Sequence, residues 1–484
     1  MLKNVSRKTW VIIILCAVLA IALLLTCVIT ATMSDENRLK YALNEDGQSY
    51  SVIDIKNAYR GGWFAKDTIV IPKTHKNLPV TAIVTIKDLK KTSTVVLPDG
   101  LKEIGASAFY GCSITSLDIP DSVTKIGTSA FENCTSLSEI KLPSNLTSIS
   151  SGMLRSCFSL AQIELPSTVT TIGSGAFANC YSLETIELPA GVTSIGKNAF
   201  ADCTGLTSIE LPSNLRTIDA DAFKNCYSLI EVCNNSDLPI VAWSSGYGDV
   251  AYNALNVYSD TQGESYLKTD SGNVFYDDGE QVLFVKHYGK DTTLSLPSGF
   301  GGHDYSIHRY AMYGNSTIVE VVIPSGVTQI SYSAFENCSK LEKVSIGDDV
   351  TLIQEGAFRG SRKLNAVTFG KGVKEIEKRS FYECSSIQSI QLHDAIEKIG
   401  DEAFAACSQL KQVTIGKGLK SIGDKAFFNC AHFTEMHFGG TKADWQSVQL
   451  GSQWTWDNNS NMRDRSCEKV VCSDGDVVIP STKD

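Results

Sequence analysis

One pattern recurs through most of the chain at a fixed period, and it constrains the fold more than any other feature. A copy reads Leu183-Glu-Thr-Ile186-Glu-Leu188-Pro189-Ala-Gly-Val192-Thr-Ser-Ile195-Gly-Lys-Asn-Ala199-Phe200-Ala-Asp-Cys203. The large apolar residue after Ala returns at Phe109, Phe131, Leu154, Phe177, Phe200 and Phe223. It returns again at Met312, Phe335, Phe358, Phe381, Phe404 and Phe427. Within each of these two series, successive copies lie 23 residues apart, except that the first interval of the first series is one residue shorter. Self-similarity at this period marks a solenoid of stacked coils. Within a copy, Ile186 and Leu188 alternate with Glu187, so the two apolar residues share one face of a short strand and the acid faces water. Pro or Gly turns the chain, Val192-x-x-Ile195 begins a second extended segment, and Ala-Phe-x-x-Cys suits a tight helical turn packed inward. No such unit buries its apolar face alone. Stacking buries it continuously, and the open ends need caps.

The generic form, LxxIxLPxxVxxIgxxAFxxC, resembles the BspA-type (Treponema-type) leucine-rich repeats of bacterial surface proteins. The flanks resemble that family too, in Tyr41-Ala-Leu-Asn-Glu-Asp-Gly near the start and in Phe438-Gly-Gly-Thr-Lys-Ala-Asp-Trp445 through Cys472-Ser-Asp-Gly near the end. The resemblance implies a mostly β, leucine-rich repeat solenoid with short helical turns, at a bacterial cell surface. It also implies non-catalytic, adhesin-like binding of a protein or glycan; the alternative is a structural or accessory envelope module without a soluble ligand. The expected organisation is an N-terminal β cap over 35–91, a first array over 92–230, a β-rich island over 231–304, a second array over 305–438 and a C-terminal cap over 439–484. In the island, Val274-Phe-Tyr-Asp-Asp-Gly-Glu-Gln-Val-Leu-Phe-Val reads as a hairpin around Asp278-Gly279.

No charged residue occurs between Lys8 and Asp35, and the run from Trp10 to about Ile29 is long enough to span a bilayer as a helix. Lys3, Arg7 and Lys8 precede it, which places residues 1–8 in the cytoplasm, a single-pass anchor at 9–31 and the remainder outside. A cleaved signal peptide and lipidation at Cys27 are the rival readings.

The chain carries 43 Lys+Arg against 53 Asp+Glu, an acidic balance that argues against nucleic acid as a partner. It contains no GxSxG, HExxH, P-loop or dinucleotide-binding fingerprint. No enzymatic activity, cofactor or metal is expected. The pairs His303/His308 and His432/His437 read as surface or packing residues, and Asp348-Asp349 as a solvated turn. Ten of the 15 Cys fall three residues after the apolar column, at 112, 134, 157, 180, 203, 226, 338, 384, 407 and 430, with Asn315 and Ser361 in the other two slots. A slot that accepts Cys, Asn or Ser points to a small inward residue, hence a ladder of free thiols. Cys467 and Cys472 lie off this ladder and are the better candidates for a disulfide.

Two surfaces stand out as candidates for binding. The water-facing strand position of the first array reads Asp118, Lys141, Glu164, Glu187 and Glu210, an acidic stripe that suits a ligand with a basic patch. In the second array the same position reads Val322, Ser345, Thr368, Gln391, Thr414 and His437. The other surface is the aromatic content of the island, led by Trp243 and Tyr247, since exposed Trp and Tyr serve recognition of protein and sugar.

Overall fold

The computed structural model describes residues 35–56, 67–87, 89–455, 467 and 469–479. The tail 1–8 and the expected anchor 9–31 lie outside these residues, and no helix among the described residues is long and apolar enough to cross a membrane. The chain divides into two compact units between Glu264 and Ser265, each with its own hydrophobic core.

The first unit opens with an antiparallel pair, Leu39–Leu43 and Tyr50–Ile55, which Leu78–Ile83 joins in parallel. Coils follow, and each adds one short strand to each of two parallel ladders. Ser208–Leu211 pairs with Glu231–Asn234, and Ser194–Ile195 with Thr217–Ile218. The alternation read from the sequence holds: Ile209 and Leu211 are buried, and Glu210 between them is exposed.

The third side of each coil is the Ala-Phe-x-x-Cys segment. Backbone bonds of the i→i+3 kind form here, from Ala199 N–H to Gly196 O (3.1 Å) and from Cys203 N–H to Phe200 O (3.1 Å). They do not propagate into a helix, because Asn198 (φ 56) and Asp202 (φ 61) stand in the left-handed region. Asn, Asp, Ser and Gly recur at these two slots, as at Ser129, Gly152, Asn179 and Asn225; they are the residues that tolerate that conformation best. The freed N–H groups turn to the next coil: Phe200 N–H meets Ala222 O at 2.7 Å and Asp202 N–H meets Lys224 O at 2.8 Å. Backbone hydrogen bonds therefore run from coil to coil on all three sides.

All twelve residues of the apolar column are at most 1% exposed. Phe200 stacks on Phe177 at 5.2 Å between ring centroids and on Phe223 at 5.0 Å, with interplanar angles of 4° and 14°. The ladder thiols are buried and none is in a disulfide. Cys203 Sγ donates to Phe177 O at 3.2 Å and Cys226 Sγ to Phe200 O at 3.0 Å, each reaching the preceding coil. Ser361 substitutes for Cys because its Oγ makes the same bond, to Phe335 O at 3.0 Å. Asn315 does something else: its Oδ1 accepts from the N–H groups of Thr317 and Ile318. Burial pushes the thiols up, to about 12 at Cys180, Cys338 and Cys430.

The segment 231–304 is shared between the two units. Glu231–Asn234 and Asn256–Tyr258 extend a ladder of the first unit by two more parallel strands. The second unit begins with a meander, Leu267–Asp270, Asn273–Asp277 and Val282–His287. Its second turn is the hairpin expected at Asp278-Gly279, where Asp278 accepts from the N–H groups of Glu280 and Gln281. From Tyr305–Ile307 onward the ladders of the second unit run in parallel to Gln449–Leu450. The helix Lys442–Gln446 carries a capping box of Thr441 and Asp444. The antiparallel pair Lys469–Cys472 and Gly475–Val478 ends the described chain. The disulfide expected between Cys467 and Cys472 is not formed. The strand Lys469–Cys472 keeps them apart, since an extended chain advances about 10 Å over those residues alone, beyond the reach of a disulfide.

Candidate recognition surface

The acidic stripe sits where the strand alternation requires it. Asp118, Lys141, Glu164, Glu187 and Glu210 are all exposed, flanked by buried neighbours such as Ile163 and Leu165, except that Leu188 beside Glu187 is half-buried. Asp118 and Lys141 lie in register across one ladder and pair at 3.7 Å. Ile163 lies in register with Ile186, so Glu164 and Glu187 follow in step on adjacent coils. Stacked strands are about 4.8 Å apart, so Glu164 to Glu210 spans roughly 10 Å. Glu210 Oε1 accepts from Asn235 Nδ2 at 3.1 Å, and the same amide reaches Asp260 Oδ2 at 2.8 Å. At Glu164 and Glu187 the ladder strands end one residue early, at Ile163 and Ile186. The pairing also lapses between Thr368 and Gln391, where no like charges meet, so repulsion alone does not account for it.

In several other columns, charges on neighbouring coils alternate in sign and pair. Lys125 meets Glu103 at 2.7 Å, Arg379 meets Glu402 at 2.6 Å and Lys420 meets Glu397 at 2.6 Å. Arg362 meets Glu383 at 2.7 Å. Glu164, Glu187 and Glu210 form a run of three acids on consecutive coils with no ion pair among the described residues. Exposed pairs of this kind contribute little stability each, but they show how the fold ordinarily arranges charge.

The aromatic candidates are not brought to this face. Tyr247 is partly buried, packs against the core of the first unit and lies beside the strand Thr217–Ile218 of the other ladder. Phe223 N–H bonds Gly248 O at 2.7 Å, which places this segment over the turn side of the coil. Trp243 is 54% exposed with φ 62, its N–H bonded to Ala251 O at 2.9 Å. Of the histidines, His308 is buried and its Nδ1 has no hydrogen-bond partner. Asp348 and Asp349 accept backbone N–H groups of Lys371 and Gly326, a turn arrangement.

With the repeat, its register and its exposed face described, the class is that of a leucine-rich repeat solenoid. The chain belongs to the BspA-type leucine-rich repeat family, whose sequence model matches residues 67–184, 171–242 and 305–434 in six copies. Among solved structures, a leucine-rich cell surface protein from Faecalibacterium prausnitzii A2-165 is 24% identical, over 85% of this chain and 96% of its own, with a TM-score of 0.36. The leucine-rich repeat protein of T. pallidum is 28% identical over 45% of this chain and 91% of its own, with a TM-score of 0.33. The pneumococcal vaccine antigen PcpA is 17% identical over 86% and 97%, with a TM-score of 0.29. No curated protein matches the chain.

Proposed function

We propose that the chain is a membrane-anchored, non-catalytic recognition protein of the bacterial surface, and that its first array binds a partner through Glu164, Glu187 and Glu210. One observation carries this reading. These three acids keep like charge on three consecutive coils, whereas in several other columns charged neighbours alternate and pair. Like charges directly opposite on neighbouring strands are destabilising, so a basic patch on a partner offsets a cost that the array otherwise carries. Repeat arrays offer such regular faces as extended binding surfaces. Carboxylates in a row speed encounter with a basic partner in a salt-dependent way. Membrane attachment through residues 9–31 rests on the apolar run and the basic residues before it.

The test is a screen of matrix proteins and glycans against the protein, followed by the Glu164→Gln/Glu187→Gln/Glu210→Gln variant on each hit. The variant is expected to bind more weakly and with a flatter salt dependence, its melting temperature unchanged or raised. Equal binding at every salt concentration would leave the stripe a merely solvated face.

A further inference from the structure

The acidic run belongs to a longer outward column of the first unit. Strands Thr68–Val70 and Thr94–Val96 set Val70 in register with Val96, and both side chains are exposed, at 44% and 45%. Asp118 and Lys141 follow and neutralise each other. Glu164, Glu187 and Glu210 complete the column. At about 4.8 Å per coil, the six steps from Val70 to Glu210 make a face roughly 29 Å long. Beyond Glu210 the face is covered. Cys233 takes the outward position in register with Glu210, yet is only 7% exposed. The segment 259–264 folds back onto it: Cys233 Sγ donates to Asp260 Oδ1 at 3.4 Å, and Asp260 N–H donates to Asn235 Oδ1 at 2.9 Å. The open part therefore has an apolar end, a neutral pair and an acidic end, in that order.

Two exposed valines side by side leave apolar area in water that an apolar group of a partner would remove. What fits the whole face is decided by backbone and spacing. A sheet face offers side chains, because its backbone groups are paired from coil to coil. Its occupant must satisfy its own backbone, as an α-helix does. One helical turn advances about 5.4 Å, so residues i, i+4 and i+7 span roughly 10 Å. The three acids span the same length over two coil steps of about 4.8 Å. Three same-side residues of an extended chain span about 13 Å and overrun the last acid. Three further turns of helix advance about 16 Å, against roughly 14 Å between Glu164 and Val96. Resting on the recognition reading above, we propose that this face takes one α-helix of a partner protein, laid along the solenoid axis. Its Lys or Arg residues on three successive turns meet Glu210, Glu187 and Glu164. Its apolar residues, three turns further on, cover Val96 and Val70.

The experiment uses the full-length chain in zwitterionic nanodiscs, with empty discs as the blank, and labelled peptides of about 22 residues, enough helix to cover the face. The first is stapled as a helix, with Lys at i, i+4 and i+7 and two Leu on the same side three turns on. The second is a stapled helix of the same composition with its Lys and Leu dispersed around the axis. The third is unstapled, with Lys at alternate positions among Val and Thr. The first should bind about tenfold tighter than the others, and less tightly as salt rises. Val70→Ser with Val96→Ser should weaken it about tenfold and leave the melting temperature unchanged, because both positions face water. The Glu164/Glu187/Glu210 triple Gln variant should weaken it as well. Equal or tighter binding of the dispersed or alternating peptide overturns the proposal, as does a double Val variant that binds the first peptide like wild type. No binding of the first peptide overturns it too. In that event the acidic surface itself stands if matrix-protein hits still depend on the three acids, and falls with the helix if they do not.

Discussion

Phe200→Ala is the sharpest test of the register. The ring is 0% exposed and sandwiched between Phe177 and Phe223 at 5.2 and 5.0 Å. Truncating a buried Phe to Ala costs about 3–5 kcal/mol, as lost transfer free energy plus the cavity left behind. Collapse around the cavity is resisted here, because the flanking coils are held at strand spacing by backbone bonds on both sides, Phe200 N–H to Ala222 O and Phe177 N–H to Ala199 O. The upper part of that range is therefore expected. Leu154 supplies an internal control, being a natural aliphatic residue of the same column at 0% exposure. Phe200→Leu should cost only about 1–1.5 kcal/mol, as a volume-reducing but still apolar exchange. The assay is urea unfolding followed by far-ultraviolet circular dichroism, with proteolysis to locate the damage. Because coil stability is passed between nearest neighbours, cleavage should increase along the first array and not in the second. An Ala variant within about 1 kcal/mol of wild type, or a Leu variant as damaging as Ala, would refute the stacked register.

The second unit should lose stability in acid through His308, whose buried ring holds its pKa down to about 3, with Arg309 beside it adding to the effect. The unfolded chain binds that proton near pH 6.5 while the folded one does not, so stability falls as pH drops below 6.5, by about 2 kcal/mol at pH 5. Urea titrations at pH 7 and pH 5 measure this, and His308→Leu should flatten the difference. The ladder thiols should be unreactive toward a thiol-specific reagent in the native protein and fully labelled in urea, since burial raises them well out of the thiolate range. Cys203→Ser should remain folded, because Ser361 already makes the equivalent bond; loss of the fold would show that sulfur volume, not the hydrogen bond, sets that slot.

The period made the apolar and thiol columns legible, because every coil must place one large and one small residue at the same depth. The strands Glu231–Asn234 and Asn256–Tyr258 were not legible as ladder members. A parallel ladder is made of backbone groups and tolerates side chains as unlike as Cys233 and Tyr258 in register. The left-handed slots were hidden for a related reason: Asn198 and Asp202 look like variable polar positions until their φ values are known. The acidic stripe was visible as spacing, yet its contrast with the paired columns required the ion-pair geometry. The recurring glycine was the least legible, because it reads as a turn residue, and only the close approach of the preceding coil at Gly400, Gly423 and Gly451 shows that a side chain has no room there.

A stack of nearly identical coils has a problem of identity. Any coil presents an upper surface that matches the lower surface of several others, so a chain displaced by one whole repeat satisfies most of its contacts. The departures from consensus remove that ambiguity. Leu154 interrupts a column of rings, and Ser361 interrupts a run of thiols between Cys338 and Cys384. The interval between Phe109 and Phe131 is one residue short, so a shifted pairing there leaves a loop too short or too long. Each irregularity works as an address on an otherwise unmarked ladder, and homogenising the repeats would raise the symmetry of the array at the expense of its single correct order.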